Sequence, residues 1–320
     1  MKRQCSGYDV IGDVHGHLDA LTRLLRELGY RERHGAYSHP DRIAVFVGDL
    51  IDRGSQQVGV VDHVRRMVEA GYADVVMGNH EFNAIAYATP HPDRPGDHLR
   101  RHTPKNTGQH AAFLDDVGYD SATHQRVIDW FRTLPLWLEL EVSGQRLRVI
   151  HACWHQESIA HLEPLLGPNR TLSTPVLIDG CTKGTADHDA IETILKGPEV
   201  SMGGLEYLDK DGHPRQNARL AWWQGDARSL RDVALVPDGT RSTDGTPFPP
   251  LPDTAVDMSK LVYTDEVPVL FGHYWHTGAP ATLTPTTACV DYSIAKHGQL
   301  VAYRWSGEAT LQNDHFVATK

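Results

Sequence analysis

Short apolar runs ending in glycine alternate with stretches of helical spacing through the first eighty residues. Tyr8-Asp9-Val10-Ile11 stops at Gly12 and predicts a strand. Leu18, Leu21, Leu24, Leu25 and Leu28 then recur every three or four positions, a helix closed by Gly29. Ile43-Ala44-Val45-Phe46-Val47 is almost continuously apolar, as in a buried strand, and ends at Gly48. Val60, Val61, Val64, Met67 and Val68 mark a second helix, stopped by Gly71. Asp74-Val75-Val76-Met77 predicts a third strand ending at Gly78, with a loop and another helix beyond. A β-loop-α unit that occurs twice before a third strand predicts an α/β fold, and such sheets place their sites at the carboxyl ends of the strands.

The pattern fails between His91 and His110. Pro92, Pro95, Gly96, Pro104 and Gly108 break it, and Arg94, Arg100, Arg101 and Lys105 make it basic. The stretch reads as an excursion, either a solvated loop or a rim that attracts an anionic substrate. Val127, Ile128, Phe131 and Leu134 restore a helix up to Pro135. Leu136 to Val142 alternates, Ser143-Gly144 turns, and Arg146 to Ile150 returns as a hairpin that delivers His151. From about Trp154 to Lys260 the periodicity is weak. Ile191 to Leu195 predicts helix, Asp209-Lys210-Asp211-Gly212 a hairpin turn, and Pro237 to Pro252 a loop. We read 154–260 as an insertion or lid within a single domain spanning 1–320. Val267 to Phe271 resumes the core before Gly272-His273, and two last strands follow near Ala288–Asp291 and Leu300–Trp305.

Composition narrows the class. The 320 residues carry a formal net charge of −10, which argues against nucleic-acid binding through a basic surface. No stretch reaches the roughly 18 apolar residues of a membrane span, so no membrane partner is expected. Met1 to Gly7 leads almost directly into the first strand without an apolar leader core, and a cytoplasmic location is expected. Cys5, Cys153, Cys181 and Cys289 are scattered and form no CxxC, so reduced thiols are expected. Cys153 stands two residues beyond His151.

The loops after the strands hold the chemistry. Gly12-Asp13-Val14-His15-Gly16, Gly48-Asp49-Leu50-Ile51-Asp52-Arg53-Gly54 and Gly78-Asn79-His80-Glu81 supply carboxylates, imidazoles and an amide. Asp13 and His15 converge on one ion if their loop curls. Asp49 is the natural bridge, because one carboxylate can offer an oxygen to each of two cations. Asn79 adds a carbonyl oxygen, and His151 and His273, each after a predicted strand, close the second shell. This mixed oxygen and nitrogen set suits Mn²⁺, Fe or Zn²⁺, with two Mn²⁺ ions the expected cofactors. Paired metals lower the pKa of a shared water, and a hydroxide bridging them attacks phosphorus directly. His80 is the candidate general acid, Asp52 holds its tautomer, and Arg53 binds phosphoryl oxygens in its planar fork. Glu81 reads as a first-turn helix residue and not as a ligand.

These blocks, with His151-Ala152 and Gly272-His273, resemble the five blocks of the calcineurin-like metallophosphoesterases. The Asp-Arg-Gly and Asn-His-Glu forms are similar to the phosphoprotein phosphatase branch, which also includes symmetrical diadenosine tetraphosphate hydrolases. The resemblance implies a four-layer α/β/β/α sandwich with the metals at its edge. It implies Asp13, His15 and Asp49 on one ion, and Asp49, Asn79, His151 and His273 on the other. His80, Asp52 and Arg53 take the acid, orienting and phosphate-binding roles, with Asn79 and His80 also facing substrate. A second phosphate-binding arginine is common in that branch, and Arg219 is the candidate. The chain departs from the family in reading Gly272-His273-Tyr274-Trp275-His276, which lacks the usual second histidine and leaves the first ion fewer protein ligands. Cys153 also stands where glycine is usual. The expected activity is a Ser/Thr-type phosphoprotein phosphatase. The alternatives are a dinucleoside polyphosphate or nucleotide hydrolase, and a metal-bound sensor that holds phosphorylated ligands without cleaving them.

Overall fold

The computed structural model describes residues 5–208, 212, 214–237 and 239–319. In its first sheet the strands lie in the order Asp291–Tyr292, Gln299–Trp305, Gly7–Ile11, Arg42–Phe46 and Ala73–Val75, with Phe316–Ala318 also paired to Gln299–Trp305. Gly7–Ile11 runs parallel to Arg42–Phe46, with Val10 opposite Val45, and antiparallel to Gln299–Trp305. The second sheet orders Thr287–Cys289, Val269–Phe271, Gln145–Ile150 and Trp137–Val142. Its hairpin turns at Ser143 and Gly144, which have φ of 52° and 80°, the left-handed pair that a tight turn between twisted strands requires.

The alternation of side chains along each strand builds the layers. Tyr8, Val10, Ile43, Val45 and Val47 from the first sheet meet Leu147, Val149, Leu270 and Ala288 from the second in one buried cluster between the sheets. Their neighbours Ile11, Ala44 and Phe46 point the other way, into a cluster with Leu21, Leu24, Val60 and Val64 of the helices Leu18–Glu27 and Gln57–Glu69. On the far side, Ile150, Phe271 and Cys289 join the same cluster as Ile191 and Ile194 of the helix Ala186–Lys196, and the Trp222 ring lies tilted against Phe271 at 4.7 Å. The fold is therefore the expected α/β/β/α sandwich. Burying one leucine or phenylalanine in these layers contributes about 1.5–3 kcal/mol.

The stretch 154–260 divides in two. Helices Gln156–Leu162, Thr174–Gly180 and Ala186–Lys196 place Ile159, Val176 and Ile194 in the large helix-facing cluster. Beyond them, Met202, Ala218 and Leu230 form a small cluster of their own, as do Leu220, Val233 and Met258. Asp209 to Asp211 of the expected turn lie outside the described residues, and the strands flanking it, Tyr207–Leu208 and Pro214–Arg215, pair antiparallel. Met1 to Gln4 also lie outside them. No helix among the described residues is long and apolar enough to cross a membrane.

The 91–110 region corrects the reading of its prolines and glycines as breakers throughout. Pro104 and Gly108 sit inside a helix, Pro104–Val117. Proline fits the first helical position because that N–H has no intrahelical partner, and the Thr103 side chain accepts the Asn106 N–H as a cap. The basic residues are partly neutralised: Arg94 and Arg101 both meet Asp97, and Arg100 donates to Asn83 and Gln109.

Candidate active site

The loops after Gly7–Ile11, Arg42–Phe46, Ala73–Val75, Gln145–Ile150 and Val269–Phe271 bring their polar residues together at one edge of the sandwich. Gly48 and Gly78 let two of these loops approach closely. A Cβ on Gly48 would stand 2.4 Å from the Gly78 nitrogen, and one on Gly78 would stand 2.3 Å from Asp49 Oδ1. His15, Asp49, Asp52, Arg53 and His273 all have positive φ, between 46° and 80°. Residues other than glycine occupy that region at a cost of about 1–3 kcal/mol each, and such strain concentrates at functional loops.

Asp49 stands between two histidine groups. His15 Nε2 and His80 Nε2 each lie 3.8 Å from Asp49 Oδ2, and His151 Nε2 lies 3.5 Å from Oδ1. His15, Asp49 and His80 can converge on one ion, and Asp49, His151 and His273 on another. Asn79 Oδ1 is 3.0 Å from His151 Nε2, so it faces the second group. Asp13 belongs to neither triad but borders the second. Its Oδ2 accepts the His273 N–H at 3.2 Å, and its Oδ1 is buried with no hydrogen-bond partner among the described residues.

These residues fit divalent cations on several grounds. His15 Nδ1–H donates to the Ile51 carbonyl at 2.8 Å and His151 Nδ1–H to the Val47 carbonyl at 2.7 Å, which leaves each Nε2 lone pair free to bind metal. Burial, aided by the charge of His80, lowers the His15 pKa to about 4. Burial also holds His151 below and His273 well below the ordinary histidine value, so all three are neutral, the form that ligates. The acids are crowded instead. Burial, then the Asp291 and Asp49 carboxylates, push Asp13 well above the ordinary range, and burial takes Asp291 up to about 6. Cations among these groups would relieve both effects.

Around this centre stand the groups expected to act on substrate. His80 Nδ1–H donates to Asp52 Oδ2 at 2.5 Å. Burial works against a charged His80, but the Asp49 and Asp52 carboxylates outweigh it and raise its pKa. Arg53 is exposed, and its charge reaches His15 and His80. Arg219, on the strand Asn217–Leu220, donates to the Lys196 carbonyl, and its charge bears on His273 and His151 from the other side. Arg219 and His273 line a cleft of about 1010 Å³ that continues past Trp275, Tyr292 and Lys296 to Tyr207. His276 turns aside: its N–H donates to the Asp291 carbonyl and its ring lies by Trp223 and Tyr292, outside both ligand groups.

A family model described as calcineurin-like phosphoesterase matches residues 8–273. The chain belongs to the calcineurin-like phosphoesterase family. Over 74 residues, 23% of this chain, it is 49% identical to the asymmetrical bis(5'-nucleosyl)-tetraphosphatase PrpE of Halalkalibacterium halodurans. It is 42% identical to the Bacillus subtilis protein of the same name over 74 residues. The chain spans about 30% of the length of these curated relatives. A protein serine/threonine phosphatase from Saccharomyces cerevisiae superposes with a TM-score of 0.48 at 14% identity, covering 98% of this chain and 78% of that one. A cold-active protein-tyrosine phosphatase of Shewanella superposes with a TM-score of 0.47 at 16% identity, covering 96% and 81%.

Two residues that matter to this site, Asp291 and His110, went unread in the sequence, and a third, Glu81, was read only for its place on a helix. Glu81 is the third residue of the helix Asn79–Ala88, as expected, but its carboxylate also accepts the N–H groups of Asp49 and Leu50 at 2.8 Å each and of Gly78 at 3.0 Å. It therefore pins the bridging loop to the Asn79 loop. Asp291 accepts the Trp275 and Ser293 N–H groups at 2.9 Å each and so fixes the segment after His273. His110 donates to Asp52. Glu81 was visible in the Asn-His-Glu motif, whereas Asp291 and His110 carry no local signal.

Proposed function

We propose that the chain hydrolyses phosphate monoesters by direct attack of water on phosphorus, with no phosphoenzyme intermediate. The observation that carries this reading is the His80–Asp52 pair at the edge of two groups that share Asp49, His80 being itself within reach of the His15–Asp49 group. Asp13, His15, Asp49, Asn79, His151 and His273 would hold divalent cations, Mn²⁺ in first place, which would supply an activated water and positive charge to offset the phosphoryl oxygens. The chain's own residues do the rest. Arg53 and Arg219 bind the phosphoryl oxygens from opposite sides, joined by Asn79 and His80. As the P–O bond breaks, His80 gives its Nε2 proton to the leaving oxygen, and Asp52 holds the imidazole in the required tautomer.

A general acid of this kind favours an alkoxide leaving group, which departs poorly without a proton. Serine and threonine phosphoesters of proteins or peptides are accordingly the first substrate class. The cleft running from Arg219 and His273 past Trp275 and Tyr292 favours a second reading, because aromatic walls beside a phosphate site suit a nucleoside. The relatives named as bis(5'-nucleosyl)-tetraphosphatases point the same way.

Turnover of phosphopeptides, mononucleotides and dinucleoside tetraphosphates with added Mn²⁺ separates the two classes. Chirally labelled phosphate tests the mechanism: direct attack inverts phosphorus once, and retention of configuration would contradict it. Asp49→Asn should lose metal and activity together, and retained turnover of an aryl phosphate would remove Asp49 as the bridge.

A further inference from the structure

One buried imidazole stands directly behind the acid pair and has no part in the mechanism above. His110 lies on the helix Pro104–Val117, only 4% exposed. Its Nδ1 is 2.9 Å from Asp52 Oδ1, while Asp52 Oδ2 takes the proton of His80 Nδ1. One carboxylate thus spans two imidazoles, one from each of two helices. The tautomer of His110 follows from its surroundings. Nδ1 faces a carboxylate and must carry a proton, whereas Nε2 is buried with no hydrogen-bond partner among the described residues. The ring is held by stacking on Phe113 at 4.7 Å and by a tilted contact with Tyr87 at 5.5 Å.

Asp52 needs such a partner. It sits at a φ of 67° in the loop after the second parallel strand, and its backbone N–H is taken by Gln57 Oε1 at 2.7 Å. Neither constraint sets the plane of its carboxylate. The bond from His110 does, since an oxygen fixed at one imidazole leaves the other aimed at His80. Burial works against the Asp52 charge, and the hydrogen bonds from His110 and His80 overcome it and keep the group ionised.

We propose that His110 is a positioning residue for proton donation: its Nδ1–H orients Asp52 so that His80 presents its Nε2 proton to the leaving oxygen. This rests on the reading of His80 as the general acid, and the test separates the two.

The test measures kcat and KM of the Mn²⁺-loaded full chain on 4-nitrophenyl phosphate, whose leaving group needs no proton, and on a phosphoserine peptide. His110→Phe keeps a ring but removes the donor, His110→Asn restores a donor near Nδ1, and His80→Ala is the reference. His110→Phe should lower kcat on the phosphopeptide about 10- to 100-fold, with KM and the aryl phosphate rate changed by less than about 3-fold. His110→Asn should recover most of the loss. An equal fall on both substrates, or no fall on either, would overturn the role of His110. If His80→Ala shows the leaving-group dependence and His110→Phe does not, only the present inference fails. If His80→Ala itself lowers both rates equally, the general-acid reading fails and takes this one with it. Should His110→Phe not fold, ¹⁵N-histidine spectra of the wild-type protein decide: a proton on His110 Nδ1 supports the inference, and one on Nε2 alone overturns it.

Discussion

Replacing Glu81 by glutamine tests how the bridging loop is held. The Glu81 carboxylate accepts three buried backbone N–H groups, those of Asp49 and Gly78 on Oε2 and that of Leu50 on Oε1. Glutamine keeps one acceptor oxygen. If that oxygen takes the place of Oε2, the amide NH₂ faces the Leu50 N–H, and two buried donors are left unsatisfied. At about 1–3 kcal/mol for each such group, the metal-loaded variant should lose about 2–6 kcal/mol. In a chain of this size that is a drop in Tm of about 3–9 °C. Metal affinity should fall with it, since the peptide that moves carries Asp49. The metal-free protein supplies a control. There burial and the Asp49 carboxylate push the Glu81 pKa up to about 7, so its charge is costly at higher pH. Glutamine removes that charge, and the stability loss should shrink when cations are stripped at pH 8. Calorimetric melts with and without Mn²⁺, together with titration of Mn²⁺ into each protein, read both effects. A Mn²⁺-loaded variant that melts within about 2 °C of wild type and binds metal equally well would refute the clamp.

The raised carboxyl groups also give the metal-free protein a distinctive pH response. Glu81 rises from an ordinary 4.5 to about 7 and Asp291 from 3.8 to about 6, so the folded state holds protons that the unfolded state has released. Stability from these groups is complete below about pH 4 and is lost as pH rises through 6 to 7. The buried neutral His15, His151 and His273 act in the opposite sense, losing stability as pH falls through the ordinary histidine range, so the carboxyl effect is read as a difference: relative to stripped wild type, stripped Asp291→Asn should gain in Tm as pH rises from 5 to 7.5, and an unchanged difference would count against the crowding of acids. Asp52→Asn should cut phosphopeptide turnover about 100-fold and aryl phosphate turnover far less, and an equal loss on both would argue against its role in proton donation. Arg219→Ala should lower kcat/KM by about 10- to 100-fold, the worth of one charged hydrogen bond to a phosphoryl oxygen. A change below about 2-fold would move Arg219 out of the substrate site.

What the sequence revealed was local. Strand ends at Ile11, Phe46 and Ile150 were legible because β-branched and aromatic runs stop at a polar loop, and the ligand-bearing loops follow at once. The pairing of two sheets face to face follows from alternation within those same runs. The helix Pro104–Val117 was not legible, because proline and glycine count as breakers by residue type alone, while Thr103 and the first-turn position decide otherwise. His110 stayed hidden for a related reason. Its partner, Asp52, is 58 residues away, and only the packing of that helix beside the Asp-Arg-Gly loop brings them together. Glu81 was read for its place on a helix, but its second role depends on the Gly48–Gly78 approach, a contact between two loops. The absent second histidine after His273 was legible, and the structure turns His276 toward Trp223 and Tyr292.

Anomalous diffraction from crystals grown with Mn²⁺ would test the account most directly. The expected result is a pair of peaks astride Asp49, one beside His15 and Asp13, the other among Asn79, His151 and His273. A single peak, or none with those side chains placed as described, would contradict it.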